Sequence, residues 1–399
     1  MNDDLMLLAD PDITQAEMSD DRILLTDPDI TQAELKMVEA ALCAPRLSQG
    51  VLVEAFEKSF AARIGRQHAV AVSGSSQALW LCLLAWDIKA GDEVITSAHS
   101  WHQIARAISL AGATPVFADI DYWSGTLAPQ KAATKINDKT RVIMAGNTNG
   151  HPADWHALRA LAQEHNLHLI EDSTEAIGSL YHGKQVGNFG DCAIFDFSQP
   201  SMLCCGEGAM IVTDDLEFAR RLRYLRERKP EQRYSVSITS YLPIDTRISE
   251  LTAALGIAQL GRLDDIISKR NQVRQWYEEQ IQSFEGIKAP YLAPDVSDVN
   301  WFLYTVHLGT RFSLSSCRAI IDDMRTAEVE AELYSHPLYL ERYYIDRGWL
   351  KGGCYVTEKV AARAIALPFH THLSESQIKF IVNTAKDASL NIGAGAETY

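Results

Sequence analysis

Apolar runs of strand length alternate with helical stretches from about residue 55 to residue 213. Helical patterns such as WHQIARAISLAG and DWHALRALAQEHN separate several of these runs. The runs are continuously apolar rather than alternating, which is typical of strands covered on both faces. They are HAVAVSG, EVITSA, TPVFADID, RVIMAG, HLIEDS, CAIFDFS and AMIVTDD. This alternation predicts an α/β fold with a mostly parallel sheet sandwiched by helices.

The length of 399 residues favours two domains. We expect a large α/β domain over residues 24–264 and a small C-terminal α+β domain over residues 265–399. The pattern SELTAALGIAQLGRLDDIISKRNQVRQWYEEQIQSF predicts a long helix where the domains join, broken or bent near Gly256 or Gly261. The segment SESQIKFIVNTAKDA predicts a closing helix.

A duplication lies near the N-terminus: LLADPDITQAEM at 7–18 is followed by LLTDPDITQAEL at 24–35. After the second copy, Ala33, Met37 and Val38 recur at helical spacing behind an Asp-Pro start, which predicts a helix. Residues 1–23 are interpreted as a duplicated leader. It is either a mobile tail or an arm that docks on a partner subunit.

The charge balance restricts the partners of this chain. Lys and Arg number 37 against 52 Asp and Glu, which gives a net charge of −15. Broad binding to nucleic acid or to an anionic membrane needs basic surface, so neither is expected. The N-terminus lacks the basic region of a signal peptide, and no apolar run reaches the roughly 18 residues of a membrane span. We therefore expect a cytoplasmic protein with a small-molecule ligand.

The seven cysteines are scattered and include no CxxC pair, so neither a disulfide framework nor a metal site is expected. Cys204 and Cys205 lie in the polar, glycine-punctuated loop DFSQPSMLCCGEGAM. A cysteine nucleophile needs a nearby base, which His102 can supply. The simpler interpretation is that both cysteines pack as small residues under the loop.

Candidate ligand-binding residues lie at strand ends, because ligands of an open α/β sheet bind outside the carboxyl ends of its strands. Gly74, Ser75 and Ser76 open a helix. Free N–H groups and hydroxyls there suit an anion such as phosphate, or simply cap the helix. Trp101 follows another strand and offers an indole face to a flat ligand. Asp172 ends a further strand, where a carboxylate pairs with a protonated ring nitrogen or caps a helix.

The order of the motifs along the chain resembles that of a known family. The motifs are GSSQAL, SAHSWHQIARAISLAGATPVFADID, GHPADWHAL, EDSTEAIGSLYHGKQVGNFGD, GEGAMIVTDD, TRISELTAALGIAQLGRLDDI and LPFHTHL. They are similar to those of the DegT/DnrJ/EryC1/StrS aminotransferases, also called sugar aminotransferases, over nearly all of residues 24–385. The resemblance implies the fold-type I architecture of pyridoxal-phosphate (PLP) enzymes and a homodimer with its sites at the subunit interface.

The resemblance also implies roles for single residues. Gly74–Ser76 match the family's phosphate cup, and Trp101 matches the aromatic residue that stacks on the pyridine ring. Asp172 matches the acid that pairs with the pyridine nitrogen. Glu175 stands where the family usually has Gln, near the ring hydroxyl of the cofactor.

The Schiff-base lysine of the family has no counterpart here. The family loop has the pattern S-F-x-x-x-K, then four residues, then G-E-G, and the motif GEG at 206–208 fixes the register. Ser201 then stands at the lysine position, and no lysine lies between Lys184 and Lys229. A serine hydroxyl cannot form a Schiff base and is a poor base unless a neighbour activates it. Ordinary transamination is therefore expected to be lost.

Two acids stand where the family contacts the cofactor phosphate. Asp196 takes the position of a phosphate-binding serine, and Asp245 that of an asparagine which reaches over from the partner subunit. Two carboxylates that face a phosphate dianion repel it by several kcal/mol at the effective dielectric of a cleft. Arg247 matches a family arginine near the interface, and an ion pair with it would weaken this repulsion.

One function favoured by these changes is the binding of an organic cation. Carboxylates and an indole face suit an amine, a guanidinium or an aminated sugar. The residues concerned are Asp172, Glu175, Asp196 and Asp245 around Trp101.

Two other functions stay open. PLP or pyridoxamine phosphate (PMP) can be held without a covalent bond, with His102, or Ser201 through water, as the base. The chain can also be an inactive or regulatory subunit without any cofactor. In each case the resemblance implies small-molecule biosynthesis, on sugars, cyclitols or natural products.

Overall fold

The computed structural model describes residues 22–48, 50–227, 243–282 and 286–395. The strands in these ranges are β1 (His68–Val72), β2 (Glu93–Ser97), β3 (Thr114–Ala118), β4 (Thr140–Gly146), β5 (His168–Asp172), β6 (Leu180–Tyr181), β7 (Lys184–Gln185), β8 (Cys192–Asp196), β9 (Ala209–Thr213), β10 (Ile287–Lys288), β11 (Val296–Asp298), β12 (Tyr304–Leu308), β13 (Glu332–Leu333) and β14 (Ala364–Leu367). The apolar runs predicted as strands are β1–β5, β8 and β9, so this prediction is confirmed.

The helices in the same ranges are α1 (Gln32–Leu42), α2 (Val51–Ile64), α3 (Ser75–Ala85), α4 (His102–Leu110), α5 (Pro129–Ala133), α6 (Trp155–Glu164), α7 (Leu216–Arg226), α8 (Glu250–Ile281), α9 (Leu314–Thr326), α10 (Arg342–Ile345), α11 (Tyr355–Ala361) and α12 (Glu375–Gly395). Several of these helices begin at a residue whose side chain caps the first turn. Thr31 and Glu34 form a capping box at α1, and Ser249 caps α8.

The large sheet has the strand order β1-β9-β8-β5-β4-β2-β3. Neighbours from β8 to β3 pair in parallel, and β9 runs antiparallel to both β1 and β8. All the strands of this sheet except β9 therefore point the same way. This confirms the expected α/β architecture with a mostly parallel sheet.

Helices cover both faces of this sheet. Val70 and Val72 of β1 belong to a buried cluster with residues of α3, α4 and α7. Ala69 and Ala71, which point the other way, pack with Phe56 of α2 and with residues of α8. Because successive side chains of a strand alternate between faces, β1 needs apolar residues at every position. The continuous apolar runs of the sequence follow from this.

A second, smaller sheet has the order β10-β12-β14-β13, and α9 and α12 pack together beside it. Its core is continuous with that of the large domain, since one buried cluster contains Ile143 of β4, Ile320 of α9 and Ile381 of α12. Tyr277 of α8 stacks on Tyr304 of β12 with ring centroids 4.1 Å apart. The helix α8 therefore joins the two domains by packing on both.

The predicted domain boundary at 264/265 falls inside α8, which is one helix of 32 residues. The described chain also contacts the small domain before it enters the large one, because Ile23 forms a bridge with Val329. The first copy of the N-terminal duplication, at 7–18, lies outside the described residues. The second copy leads into α1, as predicted.

The predicted break in the long helix is wrong, since α8 continues through Gly256 and Gly261. Gly256 serves a close approach instead. A Cβ atom added there would lie 2.5 Å from Cζ of Phe56, so α2 can pack against α8 only at a residue without a side chain. Among the helices of the described ranges, none has the length and apolar character of a membrane-spanning segment.

Candidate ligand-binding site

The carboxyl ends of the parallel strands meet at one edge of the large sheet, and candidate site residues follow them. Asp172 ends β5 and Asp196 ends β8. Gly74 immediately precedes α3, and Trp101 immediately precedes α4. The topology thus places these four residues at the edge where open α/β sheets bind ligands.

Asp196 occupies the anion position at the N-terminus of α3. Its Oδ2 accepts a hydrogen bond from the N–H of Ser75 at 3.1 Å. Its Oδ1 accepts one from the N–H of Ser198 at 2.7 Å and another from the Ser198 hydroxyl. Asp196 is 8% exposed, while Ser75 and Ser76 are half-buried. The first N–H groups of a helix lack helical partners and attract an anion, and here the protein's own side chain supplies it.

Asp172 is a buried carboxyl group with one backbone donor. It is 4% exposed, and its Oδ1 accepts a hydrogen bond from the N–H of Thr174 at 3.0 Å. Burial raises the pKa of Asp172 to about 6 against the lowering by Thr174, and the charges of Asp196 and Glu171 add to the rise. Near pH 7 the carboxylate is largely ionised, and a bound cation would stabilise that form.

Glu171, one residue before Asp172, has a structural role. Its side chain points to the opposite face of the sheet, and its two oxygens accept hydrogen bonds from five donors. The donors belong to Asn147, Ser173, Gly187, Phe189 and Gly190. Glu171 therefore has no capacity for a ligand, although it is fully buried next to the site.

Glu175 is a buried carboxyl group held at one oxygen. Its Oε2 accepts hydrogen bonds from the Tyr334 hydroxyl at 2.6 Å and from the N–H of Asn149. Its Oε1 is buried without a partner among the described residues. Burial raises the pKa of Glu175 to about 8 despite those hydrogen bonds, and the charge of Asp172 adds to the rise. At pH 7 the group is mostly protonated, so Oε1 can carry a hydrogen-bond donor, as a glutamine amide does.

Trp101 packs toward the small domain. Its ring lies edge-on to Phe302 with centroids 6.0 Å apart, and it joins a cluster that includes Tyr334. Within the described ranges, its buried Nε1 has no hydrogen-bond partner. His102 opens α4 and is half-buried. Burial, and then the charge of Arg106, lower the pKa of His102, so its imidazole is neutral at pH 7.

Ser201, which the resemblance places at the lysine position, lines a cavity of about 20 Å³ between its loop, the segment from Thr26 to Asp29 and the small domain. Arg270 lines the same cavity but donates its hydrogen bonds to backbone carbonyl groups near residues 301 and 369. Burial lowers the pKa of His370, another lining residue, to about 4. A cavity of this size holds a water molecule rather than an organic ligand.

Asp245 and Arg247 lie on the outside of a single subunit. Nε and Nη2 of Arg247 donate to the two carboxylate oxygens of Asp245 at 2.5 and 2.6 Å. The side chain of Asp245 is 68% exposed, and the hydrogen bond from Arg247 lowers its pKa. The carbonyl of Thr246 accepts a hydrogen bond from Ser73 at 2.8 Å, so this segment passes beside the approach to α3. The role of Asp245 in another subunit's pocket stays a prediction.

Cys204 and Cys205 are both buried. Burial raises the pKa of each thiol, which suppresses the thiolate that a nucleophile needs. The N–H of Cys204 donates to the Gln259 side chain at 3.3 Å. These features support packing as the role of the two cysteines. Within the part of the chain that the structure describes, no group of three or more His, Cys, Asp or Glu residues is arranged to hold a metal ion.

The residues at this edge of the sheet match only part of a PLP molecule. Asp172, Glu175 and Trp101 offer suitable partners to a flat, hydroxylated nitrogen ring. The phosphate end fits poorly, because the N–H of Ser75 donates to Asp196 and the carboxylate of Asp196 would lie beside a bound phosphate. In the register of the family motif, Ser201 stands where a lysine would hold the aldehyde, and no lysine lies between Lys184 and Lys229. The three ring partners would therefore hold the ring of PLP, whereas the loop around Ser201 offers no lysine as a covalent anchor and the phosphate end carries a carboxylate.

Two residues of the site escape sequence reasoning. Asn149 has a left-handed backbone, with φ of 53°, and its Oδ1 accepts a hydrogen bond from Leu303 at 2.9 Å. The Asn-Gly pair at this point is a turn signal that could have drawn attention to it. Tyr334 lies 159 residues from Glu175, and no local pattern announces their contact.

Together, the fold and this edge of the sheet define an aminotransferase-like α/β protein of fold type I. The model of the DegT/DnrJ/EryC1/StrS aminotransferase family matches residues 28–386, and the chain belongs to that family. It is 32% identical to GDP-perosamine synthase of Caulobacter vibrioides over 84% of this chain and 89% of that protein. It is 33% identical to the dTDP-3-amino-3,4,6-trideoxy-alpha-D-glucose transaminase of Streptomyces venezuelae, over 85% of this chain and 87% of that one.

Solved structures agree with this assignment. The S. venezuelae protein DesV, solved in complex with a ketimine intermediate, is 30% identical, with a TM-score of 0.84 over 92% of this chain and 98% of DesV. The aminotransferase TlmJ from Streptoalloteichus hindustanus is 25% identical, with a TM-score of 0.85 over 93% of this chain and all of TlmJ. The predicted family and fold are therefore confirmed.

Proposed function

We propose that this protein has lost lysine-dependent transamination and binds a cationic, amine-bearing small molecule in the former cofactor pocket. The observation that carries the proposal is the carboxylate of Asp196 at the N-terminus of α3, where the family is expected to bind phosphate. Ser201 at the lysine position supports it further, because serine cannot hold the cofactor covalently.

The charge of the pocket favours a cation. Asp172 is largely ionised at pH 7, and among the described residues neither it nor Asp196 forms an ion pair with a lysine or arginine. An ammonium group bound there would supply the missing positive charge and a charge-assisted hydrogen bond. The indole of Trp101 can add a cation–π contact.

The relatives narrow the ligand class. Both sequence relatives described above are named for amino-sugar products, so an aminated sugar is the first ligand class to test. A homodimer with its pockets at the subunit interface belongs to the proposal, since Asp245 and Arg247 face outward from one subunit. The second subunit would then complete the wall of each pocket.

A second candidate is an enzyme that holds PLP or PMP without a covalent bond. The unpaired Oε1 of Glu175 and Nε1 of Trp101 favour it, because both atoms could bond to a flat polar ring. His102, with its lowered pKa, is then the available neutral base. An inactive subunit that pairs with an active relative is the remaining alternative, and it predicts no ligand at all.

The test is isothermal calorimetry with a panel of amines, guanidines and amino sugars, and with PLP as the competing ligand. The proposal predicts saturable binding of at least one amine and at least a tenfold loss in Asp172→Asn, which removes the buried charge. Glu217→Gln is the matched control, because it removes one exposed charge from the first turn of α7, at the opposite edge of the sheet. Binding of PLP alone would contradict the proposal.

A further inference from the structure

The side chain of Asp196 bears on which ligand can bind, apart from the absence of a lysine at position 201. The carboxylate uses both oxygens: Oδ2 bonds to the first residue of α3, and Oδ1 bonds to the backbone and the hydroxyl of Ser198. Its place between β8 and α3 is fixed by the strand pairing of Asp196 with Ala209. The side chain is therefore a built-in feature of the pocket, held on two sides.

We infer that Asp196 is a resident anion that sets the selectivity of the pocket, so that it admits an amine without phosphate and excludes the corresponding phosphate monoester. The choice of an amine as ligand rests on the proposed function, whereas the exclusion of phosphate rests only on the position of Asp196. The residue thus distinguishes two ligands that share the same ring and the same amine.

Simple electrostatics supports the exclusion. A phosphate that approached the N-terminus of α3 would find the N–H of Ser75 occupied and a carboxylate beside it. Repulsion between like charges at contact distance, at the intermediate dielectric of a protein cleft, corresponds to about a hundredfold or more in affinity. The same carboxylate does not repel a hydroxymethyl group and can accept its hydrogen bond.

Two carboxyl groups near Asp196 offer hydrogen-bonding partners to such a ligand. Glu175 is 5% exposed and keeps one buried oxygen without a partner among the described residues, and Asp172 lies close enough for its charge to affect Glu175. A protonated nitrogen ring with a hydroxyl group would satisfy both carboxyl groups. Pyridoxamine has these groups and no phosphate, and PMP differs from it only by the phosphate. The two compounds therefore form a matched pair of probes.

The experiment measures the dissociation constants of pyridoxamine, PMP and inorganic phosphate by calorimetry. The proteins are the wild type, Asp196→Ser, Asp196→Asn and the distant control Glu217→Gln. In the wild type and the control, we expect PMP to bind about a hundredfold or more weaker than pyridoxamine, and phosphate not to bind. In Asp196→Ser, the affinity for PMP should increase about a hundredfold. The asparagine variant, which keeps the side-chain shape, should gain in the same direction.

Matching circular dichroism spectra and melting curves would show that the variants are folded. Equal affinities of the wild type for PMP and pyridoxamine would overturn the inference, as would folded variants that bind neither PMP nor phosphate. If the wild type binds neither compound while Asp196→Ser binds PMP or phosphate, the resident anion stands and only the amine ligand of the proposed function fails.

Discussion

Replacing Glu175 with glutamine removes a buried ionisable group while keeping its shape and its contact with Tyr334. The pKa of the wild-type group is about 8 in the folded chain, against an ordinary value of 4.5. The folded protein therefore keeps a proton that the unfolded chain has lost. Its stabilising effect is complete below pH 4.5 and declines as the pH rises toward 8. In that window, each pH unit lowers the free energy of unfolding of the wild type by about 1.4 kcal/mol. The total between pH 5 and pH 9 is about 4 kcal/mol.

Infrared spectroscopy reports this proton directly. The difference between the wild type and Glu175→Gln should show a protonated-carboxyl band that disappears with a midpoint near pH 8. Chemical denaturation in the same buffers should show that the free energy of unfolding of the variant increases relative to that of the wild type as the pH rises. The exposed substitution Glu217→Gln serves as the control and should leave the pH profile unchanged. A missing band at pH 6, or parallel stability profiles, would refute the neutral Glu175.

Three further predictions concern substitutions at Ser201, Gly256 and Tyr334. Ser201→Lys alone should show no transaminase activity, because Asp196 still fills the anion position at the N-terminus of α3. The double variant with Asp196→Ser should gain the visible absorption band of lysine-bound PLP. Transaminase activity in the single variant would contradict this prediction. Gly256→Ala should lower the free energy of unfolding by about 1–3 kcal/mol through overpacking, while Gly261→Ala, whose added Cβ meets no atom within 4 Å, should be neutral or stabilising in the same denaturation assay. Tyr334→Phe removes a hydrogen bond that lowers the pKa of Glu175, so the midpoint of the infrared band of Glu175 should move to higher pH. An unchanged midpoint would exclude that role of Tyr334.

The fold could be predicted because its signals are local. Strands buried on both faces need apolar residues at successive positions, and all seven strands of the large sheet have such runs. The error at Gly256 shows the limit of this reasoning. A glycine in a helical pattern can mark a break or a close approach, and only the position of Phe56, some 200 residues away, decides between them.

The candidate site could be predicted in part for a topological reason. Residues that follow parallel strands must lie at one edge of the sheet, so Asp172 and Asp196 are neighbours whatever the details of packing. The partners of these acids could not be predicted. From its position in the motif, Asp196 is expected to face an external phosphate, but its side chain accepts a hydrogen bond from Ser75, 121 residues away. The contact of Glu175 with Tyr334 is equally long-range.

The most direct test of the central claim, that phosphate-anchored PLP has been replaced in this pocket, is an absorbance titration of the purified wild-type protein with PLP. A family member that retains the lysine is titrated in parallel as the positive control. We predict that the control reaches a saturable visible band, while this protein shows no saturable change at millimolar PLP. A saturable band in this protein would contradict the claim.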